Sequence, residues 1–147
     1  MELVEERDTG VLVLIPAGRL DVAAGADLQL RILQIVESGE RRVVMDLAQA
    51  SEVSGAAWRV LLMFGKRLAG LGGALAVCGL TEEMRRALAL AGLEGALPVV
   101  AGRADAVAAV SAAEAREDRA QRITDLAARL LGAVPANAQR PPKKKGA

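Results

Sequence analysis

The sequence of 147 residues contains no histidine, no tyrosine and a single cysteine, Cys78. A disulfide within the chain is therefore impossible, and a metal site built from cysteine and histidine ligands is excluded. Trp58 and Phe64 are the only aromatic residues, so the chain has almost nothing with which to stack nucleic-acid bases. We expect no metal, no cofactor and no nucleic-acid partner.

The catalytic groups of common enzymes are also missing. There is no histidine to act as a base, and no pair of carboxylates flanks a recognisable pocket. The glycine pair Gly72-Gly73 precedes a predicted strand and carries no lysine of the kind that a phosphate-binding loop needs. We therefore expect a protein that is not an enzyme.

The net charge of +1 provides no overall field for nucleic acid or an anionic membrane. Arg140 and Lys143–Lys145 contribute +4 without an acid among them, which leaves the rest of the chain at −3. Residues 135–147 lack apolar periodicity, and we predict that they form a disordered basic tail.

The N-terminus, MELVEERD, is acidic and lacks the pattern of a signal peptide. The uncharged stretch 69–80 is interrupted by four glycines and is too short to span a bilayer. These features predict a cytoplasmic protein without membrane insertion.

Apolar runs alternate with helical patterns along residues 1–110. We predict a charged edge strand over 3–7, a strand over 11–15 that Pro16 and Gly18 end, and further strands over 43–45, 74–78 and 97–100. Four helices are predicted, over 23–37, over about 54–71, from Thr81 to about 91, and from 105 onward. In the first helix the residues expected to face inward are Leu28, Ile32, Leu33, Ile35 and Val36. In the second they are Trp58, Leu61 and Leu68. This alternation predicts an α/β domain with a mixed sheet over residues 1–110.

Residues 111–134 are predicted to form a C-terminal amphipathic helix. Ile123, Leu126, Leu130 and Leu131 fall on one face of it, with arginines elsewhere. Two interpretations remain open. The helix packs on the preceding domain, or it mediates self-association or binds a partner.

The stretch 41–71 is the candidate site. It combines a buried strand that ends at Asp46, a small polar connection over 48–54, and a helix beginning at Ser54 and Gly55. Open α/β sheets bind ligands and partners at such edges, where the first N–H groups of a helix lack internal partners. We predict a partner-binding surface that includes the following residues: Asp21, Ser51, Ser54, Gly55, Ala56 and Trp58.

Several of these residues have a simpler structural explanation. Ser54 and Asp21 are typical N-caps of the helices that follow them, which is the interpretation we favour for both. For Asp46 we favour acceptance of a backbone N–H in the turn that follows it. Trp58 would be a binding anchor if exposed, but a tryptophan among valines and leucines at helical spacing is more often in the core.

Five segments together resemble the STAS family, and more closely its small bacterial anti-sigma factor antagonists. They are GRLD at 18–21, VVMDL at 43–47, SGAAWRVLL at 54–62, GGALAVCGL at 72–80 and EMRRALALAGL at 83–93. Their order and spacing also match. The resemblance implies a small mixed sheet with helices mainly on one face, and a partner that is an anti-sigma factor or related kinase.

The resemblance also implies a phosphorylation switch, because these antagonists carry a phosphoacceptor serine at the corresponding helix start. Aligning Trp58 and Leu61 places Gly55 at that serine position, with Ser54 just before it. Glycine has no hydroxyl, so the usual switch cannot operate there. Ser54 or Ser51 would be the alternative acceptor. The competing functional hypothesis is a STAS scaffold or accessory subunit of a larger assembly, stressosome-like or a lipid-transport complex.

Overall fold

The computed structural model of the chain describes residues 1–93 and 95–131, except the side chains of residues 113–120. The described residues form five strands and four helices. The strands are β1 (Glu2–Asp8), β2 (Val11–Leu20), β3 (Arg42–Asp46), β4 (Ala50–Val53) and β5 (Ala74–Cys78), and the helices are α1 (Val22–Glu37), α2 (Gly55–Gly70), α3 (Glu82–Leu90) and α4 (Arg103–Leu131). The predicted basic tail, 135–147, lies outside the described residues, as do residues 132–134 of the predicted C-terminal helix.

The sheet is organised around β2. Strand β1 pairs antiparallel with it through a two-residue turn, Thr9-Gly10, in which both φ angles are positive. The first half of β2 pairs parallel with β3, which pairs parallel with β5. The end of β2 pairs parallel with β4 instead. The predicted mixed sheet is therefore confirmed.

Apolar side chains are buried on both faces of the sheet. Helices α1, α2 and α3 cover the larger core, whose bulkiest members are Trp58 and Phe64. On the opposite face Val13 and neighbouring strand residues meet Ala106 and Val110 at the beginning of α4. Three helices thus share one face, in agreement with the fold that the resemblance implied.

The edge strand β1 was predicted from its charges, and these charges form ion pairs with other elements. Glu5 accepts hydrogen bonds from Arg31 of α1 at 2.5 and 2.6 Å. This contact lowers the pKa of the Glu5 carboxyl. Two further pairs join Glu6 to Arg103 of α4 and Arg7 to Glu40.

Strand β2 is longer than predicted. We expected Pro16 to end it, since proline has no N–H to donate to a ladder. However, Pro16 lies between Leu14, the last residue paired with β3, and Gly18, the first paired with β4. No ladder bond to either strand requires a donor at that position, so the strand continues to Leu20.

Two other predictions of local structure were wrong. The connection over 48–54 contains a strand, β4, which pairs with the end of β2. The strand predicted over 97–100 is reduced to isolated bridge residues, Leu97 and Val99. In the bridge between Val77 and Val99, Val77 N donates to Pro98 O at 2.8 Å and Val100 N donates to Val77 O at 2.9 Å. Pro98 cannot donate in return, so the ladder does not extend.

Helix α1 departs from prediction in one side chain. Leu28, Ile32, Ile35 and Val36 are buried, but Leu33 is 44% exposed. Residues at spacings of three and four share one side of a helix, and Leu33 falls beside that row.

The chain divides after Glu114 into two compact units. The first contains the sheet, α1 to α3 and the beginning of α4. The described part of the second is the remainder of α4, in which four large apolar side chains are exposed: Ile123, Leu126, Leu130 and Leu131. No helix within the described ranges has the length and apolar composition needed to cross a membrane.

Candidate partner-binding site

The candidate site lies where β4 passes into α2. Ser54 is the N-cap of α2, and its Oγ accepts a hydrogen bond from Ala57 N at 3.1 Å. Its own N–H donates to Leu20 O at 2.8 Å, which ties the start of α2 to the end of β2. The predicted capping role of Ser54 is therefore confirmed, and its hydroxyl is partly occupied by the helix.

Gly55 is the first residue of α2, and it is exposed. A Cβ atom built on Gly55 would have no heavy atom within 4 Å, and its φ angle lies outside the region that favours glycine. A side chain at this position would therefore project into open space. Ala56, which follows, is half-buried.

Asp21 begins α1 at the same edge of the sheet. Its Oδ1 accepts from Ala24 N at 2.9 Å, so the capping role that we favoured is confirmed. Asp21 follows Leu20 directly, and Leu20 pairs with Val53 in the parallel ladder between β2 and β4. Since Ser54 follows Val53, the two N-caps lie next to one another along this edge.

The first turns of α1 and α2 are also in contact. A Cβ on Gly25, in the first turn of α1, would lie 3.6 Å from the backbone nitrogen of Ala57. This is an ordinary van der Waals distance, so the backbones of the two helices approach closely here. The structure thus brings Asp21, Ser54, Gly55 and Ala56 together on one edge.

Ser51 is exposed and lies on β4. Gly18 pairs with Ala50 and Arg19 with Glu52, which leaves Ser51 as the extra residue of an irregular ladder. Next to it, Arg19 Nε lies 3.2 Å from Glu52 Oε2, with both side chains largely exposed. An ion pair so exposed contributes little to stability. Ser51 is therefore an exposed residue of β4, three residues before the N-cap of α2.

Trp58 does not belong to this surface. Its side chain is 2% exposed and is one of the largest in the core beneath α2. The inclusion of Trp58 among the partner-binding residues is therefore corrected, and the core interpretation is the right one. Its indole Nε1 is buried and has no hydrogen-bond partner among the described residues.

Asp46 ends β3 and organises the turn that leads to β4. Its Oδ1 accepts from Ala48 N at 3.0 Å, as predicted, and its Oδ2 lies 3.6 Å from Arg103 Nε. Cys78 lies nearby at the end of β5, where burial first and the charge of Asp46 second raise the pKa of its thiol to about 11. A thiol with so high a pKa is a small buried hydrophobe and a poor nucleophile.

The side chains of the candidate surface are two capping groups, a serine hydroxyl and an exposed ion pair. In the part of the chain that the structure describes, no three His, Cys, Asp or Glu side chains are placed to hold a metal ion. Sequence reasoning missed β4, because its four residues, of which only Ala50 is buried, are too few and too irregular in pattern to indicate a strand.

Comparison with known families places the chain among STAS domains. Residues 2–106 match the STAS domain model, and the chain belongs to this family. It is 32% identical over 113 residues to BtrV of Bordetella bronchiseptica, which is named as an anti-sigma factor antagonist. The match covers 77% of this chain and 97% of BtrV.

Solved structures agree on the fold. An anti-sigma factor antagonist from Thermotoga maritima superposes with a TM-score of 0.69 at 16% identity, covering 74% of this chain and 94% of its own. One from Mycobacterium paratuberculosis superposes with a TM-score of 0.68 at 24% identity, covering 75% and 93%.

Proposed function

We propose that this chain is an anti-sigma factor antagonist that binds an anti-sigma factor or related kinase. The docking surface is the edge formed by Asp21, Ser51, Ser54, Gly55 and Ala56. The observation that carries the proposal is the start of α2 at Gly55, exposed and without a neighbour within 4 Å of a Cβ. BtrV, of which this chain covers almost the full length, supports the same class of partner.

The surface acts by binding and is not released by phosphorylation at position 55. Gly55 has no hydroxyl, and the hydroxyl of Ser54 is engaged as a cap. The partner complex is therefore constitutive. A phosphate would add about −1.5 to −2 charge, and a hydroxyl at position 55 would place that charge on the exposed edge.

The test combines the purified chain with a histidine-kinase-like anti-sigma factor from the same genome, with and without ATP. We expect a complex that ATP does not dissolve, and an unchanged mass for this chain. Gly55→Gln should weaken the complex, because the new side chain occupies the docking edge. Gly70→Gln is the matched control, since Gly70 is also a helical glycine with nothing within 4 Å of a Cβ.

Two outcomes would overturn the proposal. If the Gly55→Gln and Gly70→Gln variants bind the partner with equal affinity, the edge is not part of the interface. If Ser54 or Ser51 gains a phosphoryl group on incubation with ATP, the complex is not constitutive.

A second candidate role is assembly through the later part of α4. Four exposed apolar side chains, Ile123, Leu126, Leu130 and Leu131, favour self-association or docking in a larger assembly. Truncation after Glu114 retains both cores, whose last member is Val110. We expect the truncated chain to remain folded by circular dichroism. Loss of an oligomer or complex on truncation supports this role, and an unchanged number of chains per particle, measured by light scattering after size-exclusion chromatography, opposes it.

A further inference from the structure

A groove of about 660 Å³ lies between α1 and α2, on residues that the proposed docking edge does not use. Its lining includes the buried side chains of Ile32 and Phe64 and the half-buried Val60. The floor is therefore apolar, and it is part of the same core that α1 and α2 cover.

The walls of the groove are apolar and exposed. Leu33 from α1 is 44% exposed and Met63 from α2 is 64% exposed, and both line the groove. Single exposed apolar side chains are ordinary on a protein surface, but a concave apolar site with exposed walls is typical of a docking site. Methionine is also common at surfaces that bind partner helices, because its flexible side chain adapts to the partner.

All charged residues that line the groove are cations. They are Arg59, Lys66 and Arg67, all exposed and all from α2. Within the described residues none of the three takes part in an ion pair or a side-chain hydrogen bond. Arg59, Met63 and Lys66 follow the spacing i, i+4, i+7, so the apolar wall lies between two cations on one face of the helix.

We propose that this groove binds an amphipathic helix of a partner protein whose apolar face is flanked by acidic residues. Two packed helices offer a groove into which a third helix can insert its apolar face. The rim from Arg59 to Arg67 extends about 12 Å, or roughly two turns of a docked helix. Two or three carboxylates at spacings of three and four would therefore face the cations. The inference does not depend on the proposed function.

Other occupants fit the groove less well. Residues 114–134 of this chain contain four arginines and four acids, so a second copy would bring a helix without net charge to a positive rim. An anionic membrane surface would match the charge, but a concave floor cannot reach a flat surface. An acidic helix satisfies both the shape and the charge.

The experiment uses a synthetic helical peptide of roughly 18 residues, long enough to be helical in a complex, with leucines on one face and glutamates on both flanks. Its counterpart carries lysine in place of every glutamate. Binding to the full chain is measured by isothermal titration calorimetry and located by amide chemical shifts in NMR. We expect the glutamate peptide to bind at least about tenfold more tightly, less so at high salt, and to shift residues of α1 and α2 along the groove.

Variants of the chain distinguish binding in the groove from general attraction between charges. Arg59→Glu combined with Arg67→Glu should weaken the glutamate peptide about tenfold and favour the lysine peptide. Met63→Ser should weaken both peptides, because it removes an apolar wall. Arg122→Glu, an exposed change outside the first unit, should have no effect. All four positions are exposed, so we expect unchanged thermal melting curves.

Three results would overturn the proposal. Equal affinity for the two peptides would show that the cations do not contribute to binding. Tighter binding of a peptide spanning residues 114–134 would identify a second copy as the occupant. Binding to vesicles of anionic phospholipid without binding to the glutamate peptide would identify a membrane surface.

Discussion

Introducing a serine at position 55 should create the phosphorylation switch that this chain lacks. Gly55→Ser adds its side chain where no heavy atom lies within 4 Å, at a φ angle that other residues adopt. Glycine at a helical position costs roughly 0.5–1 kcal/mol relative to alanine, so the substitution should be neutral or slightly stabilising. We expect a melting temperature within a few degrees of the unmodified chain.

The consequence for binding should be large once the new serine is phosphorylated. At the exposed start of α2 a phosphate is tolerated by the fold, because the helix dipole favours negative charge there by about 0.3–1 kcal/mol. In an interface, however, the same charge must be desolvated, which costs several kcal/mol. A loss of ~4 kcal/mol corresponds to a thousandfold weaker complex.

The assay follows the mass of the chain and its affinity for the kinase before and after incubation with ATP. Gly55→Ser should gain one phosphoryl group and lose its partner, whereas the unmodified chain should do neither. Gly70→Ser is the control, and it should remain unphosphorylated and bound. Retained affinity after phosphorylation at position 55 would refute the reasoning, since the charge would then lie outside the interface.

The remaining predictions concern stability and reactivity. Trp58→Ala should cost about 3–5 kcal/mol by chemical denaturation. Trp58→Phe should cost clearly less, because it keeps a large ring in the core and the lost indole N–H has no partner among the described residues. Equal costs would contradict the buried, unbonded indole. Gly73→Ala should destabilise the folded chain by about 1–3 kcal/mol, because the new Cβ would overlap Arg41 O. Gly70→Ala should stabilise it by up to about 1 kcal/mol, because a Cβ there meets no other atom. Similar melting temperatures of the two variants would contradict the close approach at Gly73. Burial raises the pKa of the Cys78 thiol to about 11. The favourable contribution of the buried, protonated thiol to folding stability should therefore be complete below about pH 8.5, the ordinary thiol pKa. It should be lost as the pH rises toward 11, because the thiol ionises in the unfolded chain first. At pH 8 a thiol reagent should modify it only at the rate of unfolding, and rapid modification of the folded chain would contradict this.

Local signals in the sequence were sufficient to predict the helix starts. Asp21, Ser54 and Thr81 each accept a hydrogen bond from the N–H three residues later. Capping depends on residues close in the chain, so it can be predicted without knowledge of the fold. The central strands were predictable for a similar reason, because continuous runs of Val, Leu and Met are typical of parallel strands buried on both faces.

The errors concern structure that depends on distant partners. Strand β4 exists because the end of β2 is available to pair with it, and its own residues carry little signal. Pro16 is tolerated because β2 changes partner at that point. In both places the pairing of strands far apart in the sequence overrides the local preference.

The local geometry of the candidate surface was predicted better than the burial of its residues. The end of β4 and the start of α2 lie at the sheet edge, as expected from a strand, a short connection and a helix start. Trp58 was ambiguous because helical spacing alone does not indicate which side of α2 faces the sheet. Ala57 and Leu61, both fully buried, identify that side.

The burial of Trp58 also provides the chain with an optical reporter. It is the only tryptophan, and there is no tyrosine, so near-ultraviolet fluorescence comes essentially from one indole. That indole lies one turn beyond Gly55, yet in an apolar interior. Its emission should be blue-shifted in the native state and should shift to longer wavelength only when the core opens. A partner without tryptophan or tyrosine that docks on the edge should leave this emission unchanged, so unfolding can be distinguished from loss of binding in the same sample.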